Sequence, residues 1–345
     1  MTLKTFATLF SGGEGAGIGL QAAGLSHAWG IEYDARIAAV AQANGFDVRV
    51  ADVRDVDFTA MPHVDWLHAS PPCTRASVAN SGAGESDEDI SMARAAVRAL
   101  NAQQPHVFTL ENVWAYRKFK AFLLICQGLN ELGYLWDFAH VNAADLGVPQ
   151  TRRRLILRAS RGLLPPLPPP VSWKSWYAAI EDLLPPLPQA RLAPWQAARL
   201  PAVMTKTALY DMQNAVRRAT VRSADEPAAT ISTSIAKSPS HLLAVLLDVD
   251  GNNGRLDTGA PIARDMNEPA FTLSAARSAR HRVVSLTPRA LARLQSAPDW
   301  YELPASRTLA AKIIGNMVPP LLIQRIAEEM LWGTSHVAAV KETRP

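Results

Sequence analysis

Lys4-Thr5-Phe6-Ala7-Thr8-Leu9-Phe10-Ser11-Gly12-Gly13-Glu14-Gly15-Ala16-Gly17-Ile18-Gly19 reads as a short apolar strand running straight into a glycine-rich loop. Glycines there let the backbone approach a ligand closely. Working outward, apolar runs of strand length recur at 27–31, 48–51, 64–69, 106–110, 136–141 and 154–158, with amphipathic segments between them. Phe119, Phe122, Leu123, Cys126, Leu129 and Leu132 repeat at helical spacing, and Gly133 is the stop. Cys126 lies on that apolar stripe and reads as core. Alternating strands and helices predict a mainly parallel sheet covered on both faces, with the site at the carboxyl ends of the strands.

Candidate chemistry falls at those ends. The loop contains one loose fit to the dinucleotide fingerprint, Gly17-Ile18-Gly19-Leu20-Gln21-Ala22. About 20 residues past the loop, the second strand ends in Glu32-Tyr33-Asp34, where a carboxylate can bind a ribose diol. Tyr33 is placed to stack on an adenine. Asp52, followed by Val53 after the third strand, is placed to accept from an adenine amino group. These residues point to a nucleoside-containing cofactor and leave NAD and S-adenosylmethionine both open.

The fourth strand ends in Ser70-Pro71-Pro72-Cys73. Proline fixes φ, so a thiol held by two prolines suits a nucleophile. Glu111-Asn112-Val113 ends the fifth strand, and a cysteine and a carboxylate on adjacent strand ends can face one substrate. Gln150-Thr151-Arg152-Arg153-Arg154 precedes the last strand. In an extended segment Gln150, Arg152 and Arg154 point the same way, and paired guanidiniums suit an anionic or carbonyl-bearing substrate.

The chain has 345 residues, enough for one large or two ordinary domains. Its net charge of +4 fits a polyanionic partner without requiring one. No apolar run approaches the roughly 18 residues of a membrane span. The first residues lack the build of a signal peptide. Two cysteines without a CxxC spacing fit a reducing cytosol, so a cytoplasmic protein is expected. Pro165-Pro166-Leu167-Pro168-Pro169-Pro170 reads as a stiff linker. Beyond it an echo, Asp225-Glu226-Pro227-Ala228-Ala229-Thr230-Ile231-Ser232 and Asn267-Glu268-Pro269-Ala270-Phe271-Thr272-Leu273-Ser274, suggests a small β-rich domain. Arg217, Arg218, Arg222, Arg277, Arg280, His281 and Arg282 cluster there. The organisation expected is a cofactor-binding domain at 1–164, a linker and second domain at 165–285, a returning segment at 286–332 and a flexible tail at 333–345. Pro319 and Pro320 open a docked helix.

At this point the chain resembles the DNA cytosine-5 methyltransferase family, over nearly all its length and in the family's motif order. Phe10 to Gly19 is similar to its cofactor loop, Glu32-Tyr33 and Asp52 to its cofactor contacts, and Pro71-Pro72-Cys73 to its nucleophile motif. Glu111-Asn112-Val113 resembles the ENV motif, Gln150, Arg152 and Arg154 the QxRxR motif, Leu286-Thr287-Pro288-Arg289 through Gln295 a late element, and Gly315-Asn316-Met317-Val318-Pro319 the final one. The resemblance implies a Rossmann-like class I S-adenosylmethionine-dependent methyltransferase sheet with a smaller β-rich target recognition domain. It implies S-adenosylmethionine as cofactor, no metal, duplex DNA as partner and a monomer, and it accommodates a cognate restriction endonuclease.

By that resemblance Cys73 attacks C6 of a flipped cytosine, Glu111 holds N3, and Arg152 and Arg154 complete the catalytic set, with Arg154 on O2. Phe10, Gly12, Gly13, Glu14, Gly15, Glu32, Tyr33, Asp52, Val53, Pro72, Asn316 and Val318 would bind the cofactor. Ser77, Asn112, Gln150, Arg277 and Arg280 would bind substrate, with Asn112 bracing the Pro71-Pro72 turn. The segment after Cys73 is small and polar, like the family's mobile loop. Glu14 stands where the family usually has glycine, and its carboxylate would bind or repel parts of the cofactor. Thr74, Ala76 and Ala290 also depart from the pattern. Competing readings are a silent DNA-binding regulator, which loss of Cys73 or Glu111 would mark, and a tRNA cytosine methylase, whose Cys-Phe-Thr element is missing from 171–285. A third, an NAD oxidoreductase, is separable by mass spectrometry of bound cofactor.

Overall fold

A computed structural model describes residues 3–72, 85–187, 207–211, 220–231, 242–247 and 281–342, and single positions between 190 and 200. Cys73, Ser77, Arg277 and Arg280 lie outside the described residues, as does the second copy of the echo.

The first 160 residues run β1 (Thr5–Leu9), α1 (Gly15–Ala22), β2 (Ser26–Glu32), α2 (Ala35–Ala43), β3 (Val48–Val50), β4 (Trp66–Ala69), α3 (Asp87–Gln103), β5 (Val107–Asn112), α4 (Lys120–Glu131), β6 (Leu135–Asn142) and β7 (Arg153–Ser160). All seven expected strands form, each within two residues of its expected ends. They make one sheet in the order β3-β2-β1-β4-β5-β7-β6. The first five pair in parallel, while β7 runs antiparallel to both β5 and β6. The strand order reverses between β1 and β4, the switch point where ligands bind in open α/β sheets.

Both faces are covered, and the strand period of two divides the residues between them. Ala7, Leu9 and Leu67 pack with the apolar faces of α3 and α4. Phe6, Trp66 and Ile156 point the other way, into a core with Leu20 of α1 and Leu322, Ile323 and Ile326. Cys126 is buried in the first of these cores. Asp65 ties β4 to β1: its Oδ2 accepts from the backbone N–H of Lys4 (2.8 Å) and Thr5 (3.0 Å). Helix α3 is started by a capping box between Ser86 and Asp89, with acidic residues in the first turn, where the helix dipole favours them.

After the proline-rich stretch comes α5 (Trp176–Ile180) and a four-stranded antiparallel sheet of β8 (Ala208–Asp211), β9 (Thr220–Ser223), β10 (Leu242–Leu247) and β11 (His281–Ser285), in the order β11-β10-β8-β9. This is the small β unit expected of 171–285. The first copy of the echo forms a turn capped by Glu226, which accepts from Ser223 N–H at 2.7 Å. Beyond the turn Ala228 bridges Gln150 instead of opening another strand.

The chain then returns through α6 (Pro288–Leu294), α7 (Arg307–Asn316) and α8 (Pro320–Glu342). Leu322, Ile323 and Ile326 are essentially fully buried, and each contributes about 1.5–3 kcal/mol. Helix α8 runs on past residue 333 to Glu342. No helix among the described residues is long and apolar enough to cross a membrane.

Candidate active site

A cleft of about 1920 Å³ follows the strand ends. That exceeds the roughly 300–1,000 Å³ of an ordinary small-ligand pocket, so it has room for a cofactor and a second reactant. Phe10, Gly12, Gly13 and Gly15 after β1, Glu32 and Tyr33 after β2, Asp52 and Val53 after β3, and Pro72 after β4 all line it. Glu111 and Asn112 of β5, Arg152 and Arg154 at the start of β7, and Asn316 and Val318 from the returning segment line it too.

At the glycine-rich loop, Glu32 Oε2 accepts from Gly12 N–H (2.8 Å) and Oε1 from Asp34 N–H (2.9 Å). These two bonds fix the carboxylate at the cleft. Gly12 adopts φ 56°, and a Cβ there would meet nothing within 4 Å, so the backbone is open to a ligand. Gly15 answers to a different demand. A Cβ on it would collide with the carbonyl of Val318, so its bareness serves the returning segment. Tyr33 is 75% exposed at the rim. Asp52 is held by Arg54, whose guanidinium keeps the carboxyl below its usual range. Asp34 is paired with Arg36 and, from α7, with Lys312 at 3.0 Å; hydrogen bonding from Arg36 keeps it deprotonated well below the usual carboxylate range.

The placement of Glu14 corrects its expected role as a cofactor contact. It adopts φ 60°, is fully buried beneath the loop, and does not line the cleft. Its carboxylate accepts from the Thr8 hydroxyl and lies 3.5 Å from His27 Nε2. The left-handed turn at that position drives the side chain back toward β1 and β2, away from the ligand side.

At the reaction end, Arg154 Nε lies 2.8 Å from Glu111 Oε1. Both side chains are largely buried. Glu111 pairs with Ile156 across the ladder, so Arg154, two residues away, is its diagonal neighbour on the same face. Asn112 Nδ2 donates to the Pro71 carbonyl at 3.0 Å, tying the end of β5 to the turn that enters Cys73.

The expectation that Gln150 faces the substrate with Arg152 and Arg154 is also corrected, because Gln150 does not line the cleft. Gln150 is fully buried, accepts from Ile231 N–H (3.1 Å) and donates to the Leu294 carbonyl (3.3 Å). Arg152 donates to the carbonyls of Ile231 and Gly315. Strand β7 begins only at Arg153, and the residues before it are claimed by the crossing 228–231 segment. They join three parts of the chain, while Arg154 lies against Glu111. This element meets the site because β7 is antiparallel, which puts its amino end beside the carboxyl ends of the others.

A buried polar chain, not expected from the sequence, runs between β4 and β5. Trp66 Nε1 donates to Thr109 Oγ1 (3.0 Å), which is 2.9 Å from His68 Nδ1, and His68 Nε2 is 2.9 Å from Ser70 Oγ. His68 is essentially fully buried, and burial pushes its pKa down to about 3, so the imidazole is neutral. The available signal was the spacing: Trp66 and His68 share a face of β4, as Thr109 and Glu111 do on β5. Among the described residues no group of three or more His, Cys, Asp or Glu is placed to hold a metal ion.

The fold is that of a doubly wound α/β protein with a large cleft at the carboxyl ends of its parallel strands. The family model for C-5 cytosine-specific DNA methylase matches residues 4–332, and the chain belongs to that family. It is 28% identical over 333 residues to the Type II methyltransferase M.AplI of Arthrospira platensis, covering 93% of this chain and 84% of that protein. It is 30% identical over 152 residues to the Type II methyltransferase M.NgoBI of Neisseria gonorrhoeae, a match that spans 43% of this chain and about half, 48%, of that protein. The fold matches the methyltransferase EhMeth of Entamoeba histolytica with a TM-score of 0.65 at 12% identity, covering 97% and 99% of the two chains.

Proposed function

We propose that this chain methylates C5 of cytosine in duplex DNA, at a short specific sequence, through a covalent bond between Cys73 and C6. The observation that carries the reading is the Glu111–Arg154 pair beside the Asn112–Pro71 bond. It sets an acid and a guanidinium at the end of β5, against the turn that leads into Cys73. The family description, C-5 cytosine-specific DNA methylase, supports the substrate class, and relatives named Type II methyltransferases fit the further proposal of a restriction–modification setting with a cognate endonuclease as partner.

The family and its fold imply S-adenosylmethionine as donor, and the cleft fits such a group: Glu32 is fixed by two amides at a position suited to a ribose diol, and the Gly12 backbone is open. When bound, it supplies an electrophilic methyl group on a sulfonium. Phe10, Gly12, Glu32, Tyr33, Asp52, Val53, Asn316 and Val318 would hold it.

Cytosine C5 is a poor nucleophile. Addition of the Cys73 thiolate to C6 breaks the aromaticity and makes C5 enamine-like, splitting one hard step into two. Glu111 hydrogen-bonds at N3 and holds it protonated as charge develops, so its binding strengthens toward the transition state. Arg154 anchors the Glu111 carboxylate and reaches O2. Asn112 positions the cysteine turn. After methylation, loss of the C5 proton and expulsion of the thiolate restore the ring. The base must leave the stack first, at a cost of a few kcal/mol. Residues 1–164 are the catalytic domain, 165–285 hold target recognition, and Ser77, Arg277 and Arg280 contact DNA. The enzyme acts as a cytosolic monomer.

The test is nucleoside mass spectrometry on mixed-sequence duplex DNA incubated with S-adenosylmethionine and either wild type or Cys73→Ala. 5-Methylcytosine is expected with wild type alone. Product from the variant would rule out the covalent scheme.

A further inference from the structure

Glu111 ends β5 at the reaction centre, and the chain leaves it through a 3-10 turn, Trp114–Lys118. The Trp114 ring stacks on the imidazole of His140, with centroids 4.4 Å apart and planes 12° apart. The Arg117 guanidinium carbon stands 4.1 Å from the same ring centroid, and Arg117 Nη1 donates to the Trp114 carbonyl at 2.7 Å. Lys118, His140 and Arg153 are exposed, and Arg117, Lys118 and Arg153 continue the cleft wall past Arg154. Among the described residues, none of Arg117, Lys118 and Arg153 has a carboxylate within ion-pair distance, whereas Arg154, Arg158, Arg222 and Arg293 all do. His140 is held below its ordinary pKa by partial burial and then by the charges of Arg153 and Arg117, which places these groups in one another's field.

Three cations with no carboxylate partner among the described residues lie along one wall of the cleft, and an anion that enters there gains the attraction of all three. Trp114 is already occupied by the guanidinium and the imidazole, so it serves as a platform that orients cations, not as a free face for a base. Arg117 is pre-set by its own backbone bond, so little rotamer freedom is lost on binding. The shelf is continuous with the cleft that receives the flipped base, and the anion at that distance on a duplex is the backbone phosphate.

We infer that Arg117, Lys118 and Arg153, set around Trp114 and His140, form a phosphate-binding shelf on the catalytic domain that grips the DNA backbone beside the target cytosine. This rests on the function proposed above. The shelf positions the duplex and carries no sequence information, leaving base reading to the 165–285 region.

The experiment is fluorescence anisotropy of a labelled mixed-sequence duplex over a salt series. Lys118→Gln, Arg153→Gln, Arg117→Gln, their triple combination and Arg153→Lys are compared with wild type. Each neutralising change should lower the slope of log affinity against log salt by about 1, roughly equally across DNA sequences. Arg153→Lys should keep the wild-type slope, and S-adenosylmethionine affinity, measured by calorimetry, should stay the same in every variant. A triple variant that keeps the wild-type slope, while wild type methylates duplex DNA, would overturn the shelf and leave the methyltransferase reading standing. A wild type that neither binds nor methylates the duplex would overturn both.

Discussion

Acidification is expected to destabilise this fold through one residue, His68. It is 1% exposed and bonded to Thr109 and Ser70. An unfolded histidine titrates near 6.5, whereas burial holds this one at about 3. Below pH 6.5 the unfolded chain therefore takes up a proton that the folded chain refuses. Stability contributed by the neutral imidazole is fully present above pH 6.5 and drains away down to about pH 3. The slope approaches about 1.4 kcal/mol per pH unit, so the loss from pH 8 to pH 5 is about 2 kcal/mol. A net stability of about 5–15 kcal/mol makes that a measurable share. The assay is urea unfolding, followed by circular dichroism, of wild type and His68→Gln at both pH values. Glutamine costs stability at pH 8 because it cannot make both bonds, but it has no proton to gain. The gap between the two proteins should shrink by about 2 kcal/mol at pH 5. An equal gap at both pH values would refute a buried neutral His68. The consequence reaches the site, because Ser70 opens the turn that enters Cys73.

Three further outcomes are expected. Glu111→Gln removes the charge that Arg154 pairs with, and kcat should fall by about 10²–10⁴ with S-adenosylmethionine affinity retained; turnover within threefold of wild type would remove Glu111 from the chemistry. Iodoacetamide at pH 8 should label Cys73 and spare Cys126, whose thiol is pushed up to about 12 by burial; peptide mass spectrometry showing modified Cys126 in folded protein would contradict this. Gly15→Ala should destabilise by about 1–3 kcal/mol, because its Cβ meets the Val318 carbonyl and the Met317 side chain, and an unchanged melting temperature would contradict the packing described.

Local pattern carries far in this chain. Strand and helix periods, the helix stop at Gly133 and the two prolines before Cys73 are properties of neighbouring residues, so the sheet, its covering helices and most of the cleft lining are legible in the sequence. Glu32, Asp52, Glu111 and Asn112 are legible too, because each directly follows or closes an apolar run whose end must lie at the switch-point side. Tertiary structure decided what depends on partners distant in the chain. Only the antiparallel course of β7 brings Arg154 against Glu111, and strand direction is not written in an apolar run. Only the return of α7 supplies Lys312 to Asp34, across 278 residues. Gln150 and Arg152 are taken by carbonyls of segments that the local pattern cannot bring near. Glu14 sits in a loop whose neighbours line the cleft, but a left-handed φ accompanies a side chain turned under the loop, into contact with Thr8 and His27. Short-range sterics and burial set the elements and their ends; which face a charged side chain serves was settled by what the rest of the chain packed against it.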